Sequence, residues 1–561
     1  MCFGVMCSGM VFQHWQAEAL NELKKHGHRL VLLIMDERKA PETSRIKRLL
    51  RKKWKTFLFS LLDNRIFKPD AKRAVDMKPD LQGIEIRRCS ITQKGYSEYF
   101  GDDDVAAIRE YKLDFILRFG FNIIRGDILT AARFGVWSFH HDDEMRYRGG
   151  PPGFWEIYQG NPVSGAMMQR LTDKLDGGVI LKKGYLKTIM HSYKENLNQL
   201  LSVSSAWPAH VADELSETID TADITADPPP GKTSNTPAPI YKVPGNGQMI
   251  KFLWLLLRNR IRFYYHDLIA AEIWNVGIIT KPIREVATGN AGISESEITW
   301  LAPVSLSGYL ADPAGFIEDG RLHILAEDYS YDSLKAGIVE IDPYDVDDHV
   351  RVMEGTLHMS YPFVFEHDHV VYCLPECYQS SQITLYRRDS VSRKFIRERT
   401  LLDNVQAVDP TLFFHDGLWW LFFTDRKYSN THLYLYHAQE LSGEFKPHRL
   451  NPVKTDIRSA RPAGTPFVHD HELYRPAQDC SRTYGGRIAV NRVLQLTIDD
   501  FSEETVKFIE PAIGSLYNKG MHTISAVGNY TLIDGKKYSF NFRFFFHQLR
   551  QKLTRKDSAN V

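Results

Sequence analysis

The sequence predicts a multidomain chain, with an α/β Rossmann-like domain first and an all-β repeat domain second. Three observations predict it. Apolar runs alternate with amphipathic helical stretches through the first 210 residues. A Pro-, Gly-, Ser- and Thr-rich stretch follows at 226–247. Beyond it, one hairpin motif recurs at starts 49, 48 and 55 residues apart. A chain of 561 residues is also too long for a single core.

The N-terminal elements come in order. Phe3 to Met6 is a short apolar strand, and Trp15, Ala19, Leu20 and Leu23 lie at helical spacing up to Gly27. LVLLIMD at 30–36 is a continuous apolar run, the pattern of a strand buried on both faces. RIKRLLRKKWK at 45–55 reads as a basic amphipathic helix, either a phosphate clamp or a solvated or lipid-facing surface. GIEIRRC, DFILRFG and GVWSFHH are further strands, with DDDVAAIREY as a helix between the first two. Such alternation predicts an open, mainly parallel sheet with ligands at the strand C-termini. The expected boundaries are an α/β domain over 1–210, a linker over 211–248, a bridging helix over 249–270, repeats over 271–541 and a basic tail over 542–561.

The repeats align without gaps. Phe316, Phe365, Phe413 and Phe467 match, and three residues later stand Asp319, Asp368, Asp416 and Asp470. Each is followed by Gly or His, so each unit is a strand, an Asp-centred tight turn and a strand. YTLIDGKKYSF at 530–540 reads as another Asp-Gly hairpin, and EIWNVGIITKPI at 272–283 as a strand able to close a ring. Hairpins repeating at this period predict a five-bladed β-propeller.

Composition narrows the classes. The formal net charge of +1 gives no whole-chain case for nucleic acid. Six cysteines without a CxxC pair give no structural zinc site, so no metal is expected. The start lacks a basic segment before an apolar one, and FLWLLL at 252–257 is too short to span a bilayer. The expectation is a cytoplasmic protein. The basic stretches add contact with the inner face of a membrane as a minor hypothesis.

At Gly135 the chain reaches GVWSFHHDDEMRYRGGPP, followed by LTDKLDGGVIL at 171–181. Together these resemble the formyltransferase family, which includes methionyl-tRNA formyltransferase and sugar N-formyltransferases. The resemblance covers residues 3–200. It implies His140 and Asp176 as a catalytic pair, with Ser138 where the family has asparagine. It implies Arg148 and Gly149 in the loop, and Phe119, Gly120 and Ile123 in the preceding strand and loop, as cofactor-binding residues. The implied cofactor is 10-formyltetrahydrofolate as formyl donor. The chemistry suits the residue types: an imidazole can move the amine's proton, a carboxylate can orient it, and a donor must meet the developing oxyanion. Asp142, Asp143 and Glu144 depart from the family's Ser-Leu-Leu, either as an attraction for a cationic amine or as a solvated acidic loop.

In the second half, ADPAGF, LPE, VDPTLF, RPAG, YRPAQDCSRTYGG and GMHT carry a resemblance to the N-terminal domain of plant glucosamine inositolphosphorylceramide transferase. A more distant one is to five-bladed glycosidases with a three-carboxylate site. Asp312, Glu376, Asp409, Arg475, Asp479 and His522 are the candidate propeller residues, for glycan binding or for acid–base work on a glycoside. The pairing implies an N-formyltransferase for an amino sugar or glycoconjugate, its glycan recognised or processed by the propeller. The alternatives are a methionyl-tRNA formyltransferase, with tRNA as partner, or a glycosidase- or glycosyltransferase-type propeller beside a non-catalytic formyltransferase-like domain.

Overall fold

The structure is a computed structural model. It describes residues 1–38, 54–63, 65–174, 177–221, 238–302, 308–353 and 355–558, without the side chains of 217–221, 345–348 and 551–558. The chain divides into two compact units, Met1–Arg260 and Ile261–Val561.

The first unit is built on a seven-stranded sheet. Its strands in chain order are β1 (Cys2–Cys7), β2 (Arg29–Asp36), β3 (Glu85–Cys89), β4 (Phe115–Arg118), β5 (Val136–His140), β6 (Val163–Arg170) and β7 (Val179–Lys187). Their spatial order is β7-β6-β5-β4-β1-β2-β3, with β3, β2, β1, β4 and β5 parallel and β6 and β7 antiparallel. The apolar runs read from the sequence are the parallel strands, buried because both faces are covered. Met6, Leu32, Ile34, Ile116 and Val136 pack on one face with Val105 and Ile108 of the helix Asp102–Glu110. The other face carries an aromatic cluster that includes Trp15, Phe154, Tyr193 and Phe252.

Among the described residues, the second unit contains five antiparallel sheets. Four open on the aligned hairpins, whose first strands are Gly308–Glu318, Ser360–His367, Ala407–His415 and Phe467–His469. Each turns in two residues: Glu318 pairs with Arg321, His367 with Val370, His415 with Leu418 and His469 with Glu472. The two turn residues have positive φ every time, as at Asp319 and Gly320 (+50° and +75°). That is the twist-matched hairpin turn for which Asp and Gly are suited. The fifth sheet joins the unit's beginning to its end, pairing Ala270–Ile279 with Tyr530–Phe540 over ten residues.

Some expectations change. Asp534-Gly535 is not a turn. It lies inside the strand Tyr530–Phe540, and that hairpin turns instead between Val527 and Tyr530. Asp534 is buried and accepts the backbone N–H groups of His522, Thr523 and Asp312. Gly535 is needed for packing: a Cβ there would lie 2.5 Å from the Trp300 ring. The expected linker begins as helix, because Trp207–Thr221 is helical and carries Asp213, which pairs with His26 and His28 at 2.5 and 2.9 Å. It ends in Ile240–Tyr241, paired with Arg148–Gly149. The expected bridging helix spans Asn246–Ile269, and the tail is helical over Phe542–Ser558. Most of the basic stretch 45–55 lies outside the described residues, as does the middle of the linker.

Candidate functional site

In the first unit, β1, β4 and β5 end on one edge of the sheet. Register places Met6 beside Arg118 and Arg118 beside Ser138. Strand alternation then puts Ser138 and His140 on one face of β5, and Phe139 and His141 on the other. The adjacent histidines are therefore not equivalent. His141 is half-buried, stacks on Phe139 and meets Trp15 edge-on, with Nε2 3.0 Å from Ser204 Oγ. Burial, with His140 and Lys72 adding, pulls its pKa down to about 3, so its ring is neutral. His140 sits half-buried at the strand end.

Ser138 is buried and already engaged. Its Oγ accepts from Arg118 Nε at 3.1 Å and faces the Phe139 carbonyl at 3.5 Å. Arg118 Nη1 also donates to the Asn122 carbonyl. Burial lowers the Arg118 pKa, opposed by Glu98. Sequence reasoning missed Arg118. Its register opposite Ser138 was the available signal, and that needs the sheet order.

The acidic loop is neither solvated nor open to an amine. Asp142 is buried and its Oδ1 accepts the Gly153 N–H at 3.0 Å. Burial pushes its pKa up to about 7, with Asp143 adding and the Gly153 bond opposing. Glu156 is fully buried, and burial followed by Asp142 raises its pKa far above the carboxylate range. Asp143 and Glu144 meet Lys183 Nζ of β7 at 2.9 and 2.7 Å. Burial disfavours the charged Lys183, but its hydrogen bond to Glu144 and the charge of Asp143 outweigh that and raise its pKa.

The expected cofactor residues fall into two groups. Phe119, Gly120 and Ile123 follow Arg118 at the sheet edge. A cavity of about 250 Å³ opens there, lined by Cys7, Ser8, Gly9, Gln13, Lys72 and Phe119 among others. Arg148 and Gly149 instead pair along their backbone with Ile240 and Tyr241. At Gly149, with φ +97°, a Cβ would lie 2.1 Å from the Tyr241 carbonyl oxygen, so chain contact alone requires glycine. Asp176 lies outside the described residues.

In the second unit, one repeat position organises the polar centre. Asp312, Tyr361 and Asp409 each stand four residues before the aligned phenylalanine, with φ of +50°, +44° and +51°. Asp tolerates this region, whereas a tyrosine there is an outlier. The geometry turns each backbone N–H toward a carboxylate of the preceding sheet. Asp312 N donates to Asp534 Oδ2 at 3.2 Å, Tyr361 N to Asp312 Oδ2 at 3.3 Å, and Asp409 N to Glu376 Oε2 at 3.1 Å.

The side chains converge on the same place. Arg461 holds Asp409 with two nitrogens at 2.5 and 3.1 Å, and Gln478 Nε2 adds a bond of 2.7 Å. His522 Nδ1 lies 2.5 Å from Asp534 Oδ2 and Nε2 3.4 Å from Asp312 Oδ1, with the ring stacked on Trp274 at 3.9 Å. Burial disfavours charged His522, but Asp534 and Asp312 outweigh it, so its pKa is raised. Glu327 and Glu376 are both held toward the protonated form, by burial first and then by Asp312 and Asp409 respectively. These two glutamates thus stand beside Asp409, which a guanidinium clamps.

Asp312, Glu376, Asp409 and His522 are therefore brought together. Arg475 and Asp479 are bound elsewhere. Arg475 is buried against Glu503 at 2.5 Å and the Ser459 carbonyl at 2.6 Å, while Asp479 pairs with Arg487 at 2.8 Å. Glu327 was missed, although it stands eleven residues after Phe316 as Glu376 does after Phe365. Asp312, His522 and Asp534 have ligand atoms within 4.8 Å of one another, a spacing that a cation could span. Asp534, however, already accepts from three backbone N–H groups and faces His522 Nδ1, so its oxygens are taken by protein donors.

Comparison with known proteins finds two kinds of relative. Residues 299–522 match the family model described as glucosamine inositolphosphorylceramide transferase 1, N-terminal. Glucosamine inositolphosphorylceramide transferase 1 of Oryza sativa subsp. japonica is 29% identical over 210 residues, 36% of this chain and 28% of the relative. The chain thus spans little more than a quarter of that relative. A methionyl-tRNA formyltransferase of Prochlorococcus marinus is 29% identical over 100 residues, 18% of this chain and 30% of the relative. Among solved structures, the catalytic domain of the Coprinopsis cinerea GH62 alpha-L-arabinofuranosidase superposes with a TM-score of 0.32 at 15% identity. That match covers 43% of this chain and 96% of the other. Among the described residues, no helix is long and apolar enough to cross a membrane.

Proposed function

We propose that the first unit transfers the formyl group of 10-formyltetrahydrofolate to the amine of an amino sugar or glycoconjugate. We propose further that the five sheets of the second unit are the blades of a propeller whose polar centre binds the glycan. The observation that carries the first proposal is the bond of Arg118 to Ser138 at the C-terminal edge of a parallel sheet, with His140 two residues on along the same face of β5. The cofactor would supply the activated formyl carbon. Phe119, Gly120 and Ile123 would hold it, and the cavity beside them, with the side-chain-free Gly120, leaves room at that edge. His140 is placed to hold the proton that the attacking amine gives up and the folate nitrogen takes. Arg118 fills the donor role left by the family's asparagine: Ser138 and Asn122 fix its guanidinium, and Nη2 remains to meet an oxyanion. The relative named methionyl-tRNA formyltransferase supports the first proposal, and the one named glucosamine inositolphosphorylceramide transferase 1 supports the second.

The test is release of tetrahydrofolate, followed by absorbance, with a panel of amino sugars that includes nucleotide-linked and lipid-linked ones. Acceptor-dependent release is expected, abolished by His140→Ala and reduced about 10²-fold or more by Arg118→Met. Absence of both release and folate binding would overturn the reading. A second reading rests on Glu376, which accepts the Asp409 N–H, and Glu327, both pushed toward the protonated form by burial. Such a set suits cleavage or transfer of a glycoside. Loss of glycan turnover in Glu376→Gln, with His140→Ala unaffected, would favour it.

A further inference from the structure

One surface of the first unit is apolar where water should be. The helix Asn246–Ile269 buries Met249, Phe252 and Leu255 in the aromatic cluster. Its opposite side is also apolar: Ile250, Trp254 and Leu257 are 63%, 58% and 58% exposed, with Leu253 beside them. The spacing of Ile250, Trp254 and Leu257 makes a continuous stripe along one helix face. The short helix Phe57–Asp63 does the same. It buries Phe59 in the same cluster and leaves Phe57 and Leu61 exposed, next to Trp54, which is 85% exposed. Asn246 ties the two helices together, since its side chain accepts from Leu58 N at 3.0 Å and donates to the Trp54 carbonyl at 2.6 Å. That link sets Trp54, at the start of the short helix, beside the N-terminal end of the long one.

The charge of these two segments is mostly positive. Across residues 54–68 and 242–260 stand Lys55, Arg65, Lys68, Lys242, Lys251, Arg258 and Arg260, against the single acid Asp63. The Arg258 guanidinium lies 5.3 Å from the Trp254 ring centre and extends the cationic rim over the stripe. A second copy of the chain is a poor cover, because an isologous contact would set the same cations against themselves. Apolar and aromatic side chains rimmed by cations complement an anionic lipid surface. We propose that this face, centred on Trp54, Trp254 and Leu257, docks the protein on an anionic bilayer. The helix lies in the interface plane, with the tryptophans at the headgroup level and the lysines and arginines among the phosphates. The proposal is independent of the chemistry assigned to either site.

The experiment is flotation of the full chain with vesicles of phosphatidylcholine alone, or of phosphatidylcholine and phosphatidylglycerol in equal parts. Binding to the anionic vesicles, weak on the zwitterionic ones and falling with added salt, is expected. Trp254→Ala with Leu257→Ser should weaken it by about tenfold or more. Arg258→Glu should weaken it by about fivefold or more, and Lys55→Glu likewise. These side chains are exposed, and unchanged acceptor-dependent turnover or circular dichroism would verify folding. No binding to anionic vesicles, or binding that all these variants retain, would overturn the proposal. A concentration-dependent dimer abolished by Trp254→Ala would overturn it too, by assigning the face to a second copy.

Discussion

Asp142→Asn is expected to stabilise the first unit at alkaline pH and to leave it unchanged in acid. In the fold, burial and Asp143 move this carboxyl from 3.8 to about 7. A carboxyl with a raised folded pKa contributes stability that is fully present below its unfolded pKa. That contribution is lost as pH climbs through the folded value. The loss between pH 3.8 and about 7 corresponds to about 4 kcal/mol. The neighbours do not offset it. Asp143 is met by Lys183, and Glu156, raised far above the carboxylate range by burial and then by Asp142, brings no cation to Asp142. Asparagine is neutral throughout, keeps an oxygen for the Gly153 N–H, and brings an amide donor toward Glu156. At pH 8 the variant should exceed the wild type by up to about 4 kcal/mol, and the two should converge near pH 4. Hydrogen exchange of peptides covering β5 and β6 reads this directly, with variant and wild type compared at equal pH. A difference that does not vary with pH, or a variant less protected at pH 8, would refute the reasoning.

Lys183→Met should leave Asp143 and Glu144 buried without their cation, costing about 3–5 kcal/mol. Adding Asp143→Asn and Glu144→Gln should recover much of it in a urea melt. The raised pKa of His522 makes the second unit lose stability as pH rises from 6.5 through the folded value. His522→Gln should flatten that dependence in thermal melts across the alkaline range. Gly535→Ala should destabilise the second unit by about 1–3 kcal/mol, because its Cβ meets the Trp300 ring. A melt unchanged from wild type would restore the turn that the sequence alone suggests at Asp534-Gly535.

Local signals were strong enough to show much of the architecture. The runs Leu30–Met35 and Phe115–Leu117 are strands because only a sheet covered on both sides takes such continuous apolar stretches. The four Asp-centred turns follow from residues that tolerate positive φ, and their two-residue loops are all observed. The shared place of Asp312 and Asp409 was legible from repeat position, four residues before Phe316 and Phe413, because equal offsets in equal hairpins bring side chains to equal places. What only tertiary structure decided is the partner of each polar group. Asp534-Gly535 carries a turn's local propensity, yet burial of its carboxylate against three N–H donors from other segments holds it inside a strand. Arg475 and Asp479 look like site residues in sequence, but Glu503 and Arg487 claim them. Arg118 reads as an ordinary strand end until β4 lies beside β5 and sets it against Ser138. Asp142, Asp143 and Glu144 read as an attraction for a cationic amine or as a solvated acidic loop until β7 brings Lys183 to two of them and burial encloses the third. Propensity and pattern act over a few neighbouring residues, whereas ion pairs and desolvation are settled by residues tens to hundreds of positions away.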